Sequence, residues 1–171
     1  VDSVGQNSIS VDLGANNLLS AEDVMEVLEQ IEAEDLVLLQ LEVPMATVDA
    51  VVDIASAKGA RVVLNPAPAG VVSEKTLSKL YLITPNQTEA QTLTGVEVAD
   101  EQSAELAAKA LIAKGVSRVV ITMGSIGAYL YENGVGEIIP ARKVAAVATT
   151  AAGDVYNGAM CVALAEGQTL K

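Results

Sequence analysis

Runs of apolar residues of strand length alternate along the chain with stretches of helical periodicity. Strands are predicted at 8–12, 35–41, 61–64, 80–83, 119–122, 128–132, 136–140 and 143–147. Helices are predicted at 21–33, at 46–58, from 84–86 onward, at 101–114 and from Gly153 onward. This alternation predicts a single α/β domain over 1–171: a three-layer sandwich whose mainly parallel sheet has an antiparallel edge.

The composition of the chain excludes several classes of function. Of the residues 51% are hydrophobic, but Trp and Phe are absent, so the core must be aliphatic, as in a buried parallel sheet. A net charge of −12 without a basic cluster argues against binding to nucleic acid or to an anionic membrane surface. The chain has no His and a single Cys, which excludes Ser-His-Asp and Cys-His catalysis and His-ligated zinc within it. A lone cysteine and the lack of a long apolar run favour a cytoplasmic protein.

The two ends of the chain do not have the pattern of natural termini. It begins with Val1, and it ends at Lys171 shortly after an apolar helical stretch. We therefore expect the chain to be a fragment of a larger protein.

The strongest local signal for chemistry is the small-residue run at 148–154, which leads directly into the last predicted helix. Free N–H groups and the positive end of the helix dipole would meet there, so Ala151, Ala152 and Gly153 are predicted to form an anion hole. Asp154 follows in the first helical turn and is the candidate general base. The alternative is a glycine-containing turn in which Asp154 only interacts favourably with the dipole.

Other informative residues follow the predicted strands, at the edge where ligands of open α/β sheets bind. They are Glu42, Asn65, Asn86, Glu89 and Gly124 with the loop around it. Each has a structural alternative. Asn86 and Glu89 have the spacing of a capping box, 122–127 could be a plain hairpin turn, and Glu42 could simply end a strand.

The motifs together resemble the ribokinase family of carbohydrate kinases. Ala-Thr-Thr-Ala-Ala-Gly-Asp-Val-Tyr-Asn-Gly-Ala at 148–159 is similar to the C-terminal signature of that family. Further similar stretches occur in the family's order: Gly-Ala-Asn at 14–16, Gln-Leu-Glu-Val-Pro at 40–44, Asn-Pro-Ala-Pro-Ala at 65–69, Thr-Pro-Asn-Gln-Thr-Glu at 84–89 and Thr-Met-Gly-Ser-Ile-Gly at 122–127. The resemblance spans nearly the whole chain and implies a ribokinase-like fold.

The resemblance also implies roles for individual residues. Asp154 would be the catalytic base and would contact the sugar together with Glu42. Glu89 would hold Mg²⁺, mainly through water, and the backbone of Thr150 would lie at a monovalent-cation site. ATP would be bound by Asn86, Thr122, Gly124, Ser125 and Gly127. A homodimer is implied for the full-length protein.

Two departures from the family pattern change these expectations. Ala148 stands where the family has an aspartate that helps to hold K⁺, so activation by K⁺ is expected to be weak. Tyr156 replaces a phenylalanine. The family's first segment, which forms much of the sugar pocket and the lid, and its last helices have no counterpart in this chain. The chain alone is therefore expected to be poorly active.

The leading hypothesis is ATP-dependent phosphorylation of a sugar, with D-ribose converted to ribose 5-phosphate. A related kinase acting on fructose or a nucleoside is one alternative. A non-catalytic fragment that binds a nucleotide or a partner chain is another. A dinucleotide-dependent dehydrogenase is disfavoured because no Gly-x-Gly-x-x-Gly follows the first strand.

Overall fold

The computed structural model describes residues 12–144 and 150–171. Within these ranges six α-helices and six β-strands occur. The helices are α1 (Ala21–Gln30), α2 (Met45–Ala57), α3 (Glu74–Leu77), α4 (Gln87–Thr94), α5 (Glu101–Ala113) and α6 (Ala152–Ala165). The strands are β1 (Leu36–Leu39), β2 (Arg61–Leu64), β3 (Leu82–Ile83), β4 (Val119–Thr122), β5 (Gly127–Glu132) and β6 (Val135–Pro140). Short 3₁₀ helices lie at Gly14–Leu18 and Gly124–Ile126.

The six strands form one mixed sheet in the order β1-β2-β3-β4-β5-β6. The first four strands are parallel, whereas β5 and β6 pair antiparallel and form the edge. Parallel neighbours that follow each other in sequence need right-handed crossovers, which place the connecting helices on one face. The carboxyl ends of β1 to β4 therefore share one edge of the sheet. The predicted α/β sandwich with an antiparallel edge is confirmed.

Alternating side chains of the strands bury two separate cores. On one face, Val62, Leu64 and Ile121 pack with residues of α2 to α5. On the other face, Val63 and Val120 belong to a smaller cluster that includes Leu164 of α6. This separation follows from the two-residue repeat of a strand, which sends neighbouring side chains to opposite faces. Helix α6 thus lies on the opposite side of the sheet from the other packed helices.

The beginnings of the helices explain much of the local structure. Ser20 and Asp23 form a capping box at α1, Asn86 and Glu89 form one at α4, and Asp100 with Ser103 forms one at α5. Such reciprocal hydrogen bonds satisfy N–H groups that the first helical turn leaves unpaired. Helix α6 differs, since its N-cap residue Ala151 has only a methyl side chain and lies in the left-handed region at φ 60°.

Several predicted boundaries change in the structure. The run 80–83 contributes only Leu82–Ile83 to the sheet, although Leu80 is also buried, and the run 35–41 contributes only Leu36–Leu39. The four-residue helix α3 was not predicted, as it is too short to have a hydrophobic period. Most of the strand predicted at 8–12, and residues 145–147 of the one predicted at 143–147, lie outside the described residues.

No helix in the described part of the chain is long and apolar enough to cross a bilayer.

Candidate functional site

Two clefts open at the carboxyl edge of the sheet, and the first turn of α6 contributes to both. The first cleft, of about 380 Å³, is lined by Thr122, Gly124, Gly127, Ala128, Ile139, Pro140, Ala141, Ala152, Gly153 and Tyr156. The second, of about 260 Å³, is lined by Leu38, Leu39, Gln40, Asn65, Asp154 and Asn157. The turn therefore presents Gly153 to one cleft and the next residue, Asp154, to the other. A group that reaches both clefts must pass beside this turn.

The first turn of α6 has the features of an anion site. Residues 150–154 are exposed, and the helix begins directly after the left-handed residue Ala151. The first N–H groups of a helix have no partner within the helix, and the positive end of its dipole lies at the same place. The small side chains of Ala151, Ala152 and Gly153 leave those groups accessible. The structure therefore places the three predicted anion-hole residues next to Asp154.

The loop between β4 and β5 forms one wall of the first cleft. The Met123 N–H donates to the Gly127 carbonyl at 2.8 Å, which closes a tight turn containing the 3₁₀ helix Gly124–Ile126. Three predicted nucleotide-binding residues, Thr122, Gly124 and Gly127, line the cleft. Ser125 is exposed in the same turn but does not line it. The loop is thus both a hairpin turn, as the structural alternative proposed, and a wall of the cleft.

Tyr156, at the position where the resemblance has phenylalanine, also lines the first cleft. Burial raises the pKa of its hydroxyl above the ordinary value of 10.0. The side chain is therefore neutral at physiological pH and can offer its ring and a hydrogen-bonding hydroxyl to a ligand.

The second cleft is formed by the segments that follow β1 and β2. The Leu41 N–H donates to the Ala67 carbonyl at 2.8 Å, which holds the segment after β1 against the loop 65–68. Gln40 and Asn65 line the cleft opposite Asp154. Glu42, the predicted sugar contact, is half-buried and outside this lining, and its N–H donates to the side-chain oxygen of Gln40. The role predicted for Glu42 stays a prediction.

Asn86 and Glu89 lie next to the first cleft. Asn86 forms a parallel bridge with Thr122, one of the lining residues. The Glu89 carboxylate, 6% exposed, accepts hydrogen bonds from the Asn86 backbone N–H and side-chain amide, both at 2.8 Å. The structure therefore contains the capping box, and the same box fixes a carboxylate near the loop 122–127. Burial raises the pKa of Glu89 above its ordinary value of 4.5, and the hydrogen bond from the Asn86 backbone opposes this shift.

The raised pKa of Glu89 predicts a pH dependence of stability. Between the unfolded-state pKa near 4.5 and the higher folded-state pKa, the folded chain binds more protons than the unfolded chain. The contribution of Glu89 to the free energy of unfolding therefore falls as pH rises through this window and is constant above it. Urea unfolding of the wild type and of Glu89→Gln from pH 4 to pH 8 should give a difference, wild type minus variant, that falls with pH. The exposed Glu97→Gln controls for the loss of one negative charge, and a difference for Glu89 that rises with pH would contradict the expectation.

The described residues offer no ready-made metal cage. Among them, no group of three or more acidic or cysteine side chains could hold a metal ion. A cation that binds mainly to water and to ligand phosphates, as Mg²⁺ does, is compatible with a single nearby carboxylate such as Glu89. Thr150 is exposed in the turn before α6, whereas Ala148, on which the K⁺ expectation depends, lies outside the described residues.

Sequence reasoning missed Asn157 as a functional candidate. It is the only amide side chain of α6 and is 3% exposed, and it lies beside Asp154 in the lining of the second cleft. The signal in the sequence was one amide, four positions after Gly153, in a helix whose other residues after Asp154 are apolar or small. Its partner Thr84 is 73 residues away, and no periodicity could have indicated that contact.

The family model and the most similar sequences agree on one family for this chain. The model of the pfkB family carbohydrate kinases matches residues 1–171. Ribokinase of Haemophilus influenzae is 47% identical over 161 residues, covering 94% of this chain and 53% of that protein. Ribokinase of Staphylococcus aureus is 40% identical over 168 residues, covering 98% of this chain and 55% of that protein.

The solved structures agree with the sequence relatives. The structure of Arabidopsis thaliana ribokinase complexed with ribose and ATP matches with a TM-score of 0.85 at 29% identity. The match covers 98% of this chain and 55% of that one. The chain thus spans about half the length of the relatives it matches.

Proposed function

Because the chain belongs to the pfkB family of carbohydrate kinases, we propose that the protein containing it transfers the γ-phosphoryl group of ATP to a sugar hydroxyl. The proposed sugar is D-ribose and the product ribose 5-phosphate. The observation that carries the proposal is the pair of clefts that meet at the first turn of α6, with Gly153 in one and Asp154 in the other. Phosphoryl transfer needs a donor site and an acceptor site joined by a place where negative charge is stabilised.

The sugar is proposed to occupy the second cleft. Gln40 and Asn65 provide amide groups that can hydrogen-bond to hydroxyls, and Asp154 faces the same space. Asp154 would accept the proton of the attacking hydroxyl as that oxygen bonds to the γ-phosphorus and the bond from the γ-phosphorus to the ADP oxygen breaks, releasing ADP. A sugar held in this position lies beside the same helical turn that forms the anion hole, so attack and charge stabilisation can occur together.

The nucleotide is proposed to occupy the first cleft. Thr122, Gly124 and Gly127 line it, Ser125 lies in the same turn, and Asn86 is bridged to Thr122. The phosphate chain would point toward the first turn of α6. The N–H groups around Ala151, Ala152 and Gly153 would then stabilise the charge on the transferring phosphoryl group.

A Mg²⁺ ion bound together with ATP is part of the proposal, and it would supply positive charge for the phosphates. Both carboxylate oxygens of Glu89 accept a hydrogen bond from Asn86, and each keeps a lone pair that can bind a metal-bound water. Glu89 would thus orient the hydrated ion without direct coordination. A K⁺ site at the Thr150 backbone, a homodimer and a cytoplasmic location remain predictions for the whole protein.

The identity of the sugar rests on the relatives. The proteins from H. influenzae and S. aureus are named ribokinase, and the A. thaliana ribokinase structure holds ribose and ATP. This chain spans about half of each. Residues beyond this half of the relatives can also contribute to the choice of sugar, which is why fructose and a nucleoside stay in the test.

The test is an ADP-release assay of the protein encoded by the complete reading frame around this chain. ATP and Mg²⁺ are supplied with D-ribose, 2-deoxyribose, fructose or adenosine. D-Ribose is expected to give the highest kcat/KM, and the product should be ribose 5-phosphate by mass and by NMR coupling of phosphorus to C5. The 171-residue chain alone is expected to give little turnover.

Each outcome of this assay has a defined meaning. A higher kcat/KM for fructose or adenosine would reject ribose and keep the kinase. If no sugar stimulates ADP release although the protein binds ATP, the kinase proposal is wrong and the nucleotide-binding alternative replaces it.

A further inference from the structure

The described core contains a hydrogen-bonded pair that joins α6 to the sheet beneath the proposed catalytic turn. Asn157 of α6 and Thr84, the residue after β3, are 3% and 2% exposed. The Thr84 hydroxyl donates to the Asn157 side-chain oxygen at 2.6 Å. A buried polar group destabilises a fold unless it has a hydrogen-bonding partner. Any shift of α6 that separated Asn157 from Thr84 would leave both groups unpaired, so the pair helps to fix the position of α6.

The orientation of the Asn157 amide is determined by its partners. Its nitrogen donates to the Gly153 carbonyl at 2.9 Å, and a carbonyl can only accept. Its oxygen must therefore face Thr84, whose hydroxyl has a single proton to give. The Thr84 backbone N–H in turn donates to the Leu64 carbonyl at 2.9 Å, at the end of β2. A continuous chain of hydrogen bonds thus runs from the carboxyl edge of the sheet to the first turn of α6.

The last link of this chain reaches the peptide that connects Gly153 to Asp154. A trans peptide is planar, and its C=O and N–H point in opposite directions. Holding the Gly153 carbonyl therefore restrains the direction of the Asp154 N–H and the starting point of the Asp154 side chain, in addition to the ordinary backbone hydrogen bonds of the helix. The hydrogen bond to the carbonyl also polarises the peptide and makes its N–H a better donor to an anion.

We propose that Asn157, held by Thr84, is a positioning residue that orients the Gly153–Asp154 peptide for phosphoryl transfer. The inference rests on the proposed function for its catalytic part. Its structural part, a rigid peptide at the head of α6, stands on the contacts alone. Misplacement of reacting groups by about 1 Å can cost about 10²-fold in rate, so a small loosening of this turn should be measurable.

Three variants and one control test the proposal in the protein from the complete reading frame. Thr84→Val removes the hydroxyl with little change of shape. Asn157→Leu removes the hydrogen bonds of the Asn157 side chain to Thr84 and to the Gly153 carbonyl. Thr84→Ser keeps a hydroxyl donor at position 84. Thr47→Val is the matched control, because Thr47 is also buried (3% exposed) and its hydroxyl donates to the Leu19 carbonyl at 2.7 Å, away from both clefts.

The expected result separates positioning from general stability. Thr84→Val, at a residue outside both linings, should lower kcat by about tenfold or more while the KM values for ATP and the sugar change less than about threefold. Asn157→Leu should lower kcat at least as much, and its sugar KM is not used because Asn157 also lines the second cleft. Thr84→Ser should keep kcat within about threefold, and Thr47→Val should lower the unfolding midpoint without lowering kcat. Normal kcat in the first two variants, or an equal loss in Thr47→Val, would overturn the proposal.

A second readout does not need turnover. The ¹⁵N order parameters of the Gly153 and Asp154 amides are expected to fall from about 0.85 in the wild type toward about 0.6 in Thr84→Val and Asn157→Leu, but not in Thr47→Val. If the wild-type protein phosphorylates no sugar, the proposed function has failed, and these order parameters alone decide whether Asn157 holds the peptide. Unchanged values at both amides would reject the inference in either case.

Discussion

Asp154→Asn should lower the kcat of the proposed kinase reaction by about 10²-fold or more while leaving the affinity for ATP within a few-fold of the wild type. The substitution keeps the shape of the side chain and removes its ability to accept a proton. Asp154 is the only carboxylate in the lining of either cleft described here, and it follows directly after the proposed anion hole. Steady-state kinetics with the preferred sugar and an independent ATP-binding measurement give the two numbers that the comparison needs.

The control for this variant is Glu101→Gln. Glu101 is an exposed carboxylate in the first turn of α5, so it shares the helix-terminal position of Asp154 but lies outside both clefts. Its substitution should leave kcat within about twofold. A near-normal rate for Asp154→Asn would place the base elsewhere, and Glu42 would be the next residue to test. Loss of ATP binding as well as turnover would indicate a folding defect.

The largest effect on stability is expected for Gly127→Ala. Gly127 begins β5 at φ 125°, a conformation that residues with a side chain rarely adopt. A Cβ there would overlap the Ile139 carbonyl oxygen and lie 2.7 Å from the Ala141 nitrogen, both of them backbone atoms that cannot rotate away. Backbone strain and overlap together should lower the free energy of unfolding by about 3 kcal/mol or more.

Gly134→Ala separates the two causes. Gly134 lies in the turn between β5 and β6 at φ 81°, and a Cβ there would meet no atom within 4 Å. Only strain remains, so the expected loss is about 1–2 kcal/mol. Urea or thermal unfolding of both variants measures the difference, and equal losses would show that the overlap at Gly127 is relieved by movement of β6. Because Gly127 also lines the first cleft, ATP binding should be measured on the folded fraction only.

The parts of the fold that depend on local pattern could be predicted from the sequence. The runs 61–64 and 119–122 coincide with β2 and β4. The capping box of Asn86 and Glu89 was visible from its spacing. The anion-hole residues and Asp154 were placed together because they are adjacent in the chain.

What could not be predicted depends on contacts between distant segments. Hydrophobic period indicates which residues of a strand share a face but not which strand pairs with which, so the sequential strand order came only from the structure. The same holds for the contact of Thr84 with Asn157 and for the choice of Gln40, rather than Glu42, as a cleft residue. Strand β3 is shorter than its apolar run. Leu80 is buried, but its N–H donates to the Leu77 carbonyl in the turn after α3.

The division of the site into two clefts has an evolutionary consequence. Apart from α6, the cleft proposed to bind the acceptor is lined by residues within 38–65 and the cleft proposed to bind the donor by residues within 122–141, so the two linings have no other segment in common. Substitutions that reshape the acceptor side therefore leave the donor lining and the shared helical turn in place. If the proposed function holds, a lineage with this architecture can acquire a new acceptor through changes in one stretch of its gene while it retains the same phosphoryl donor.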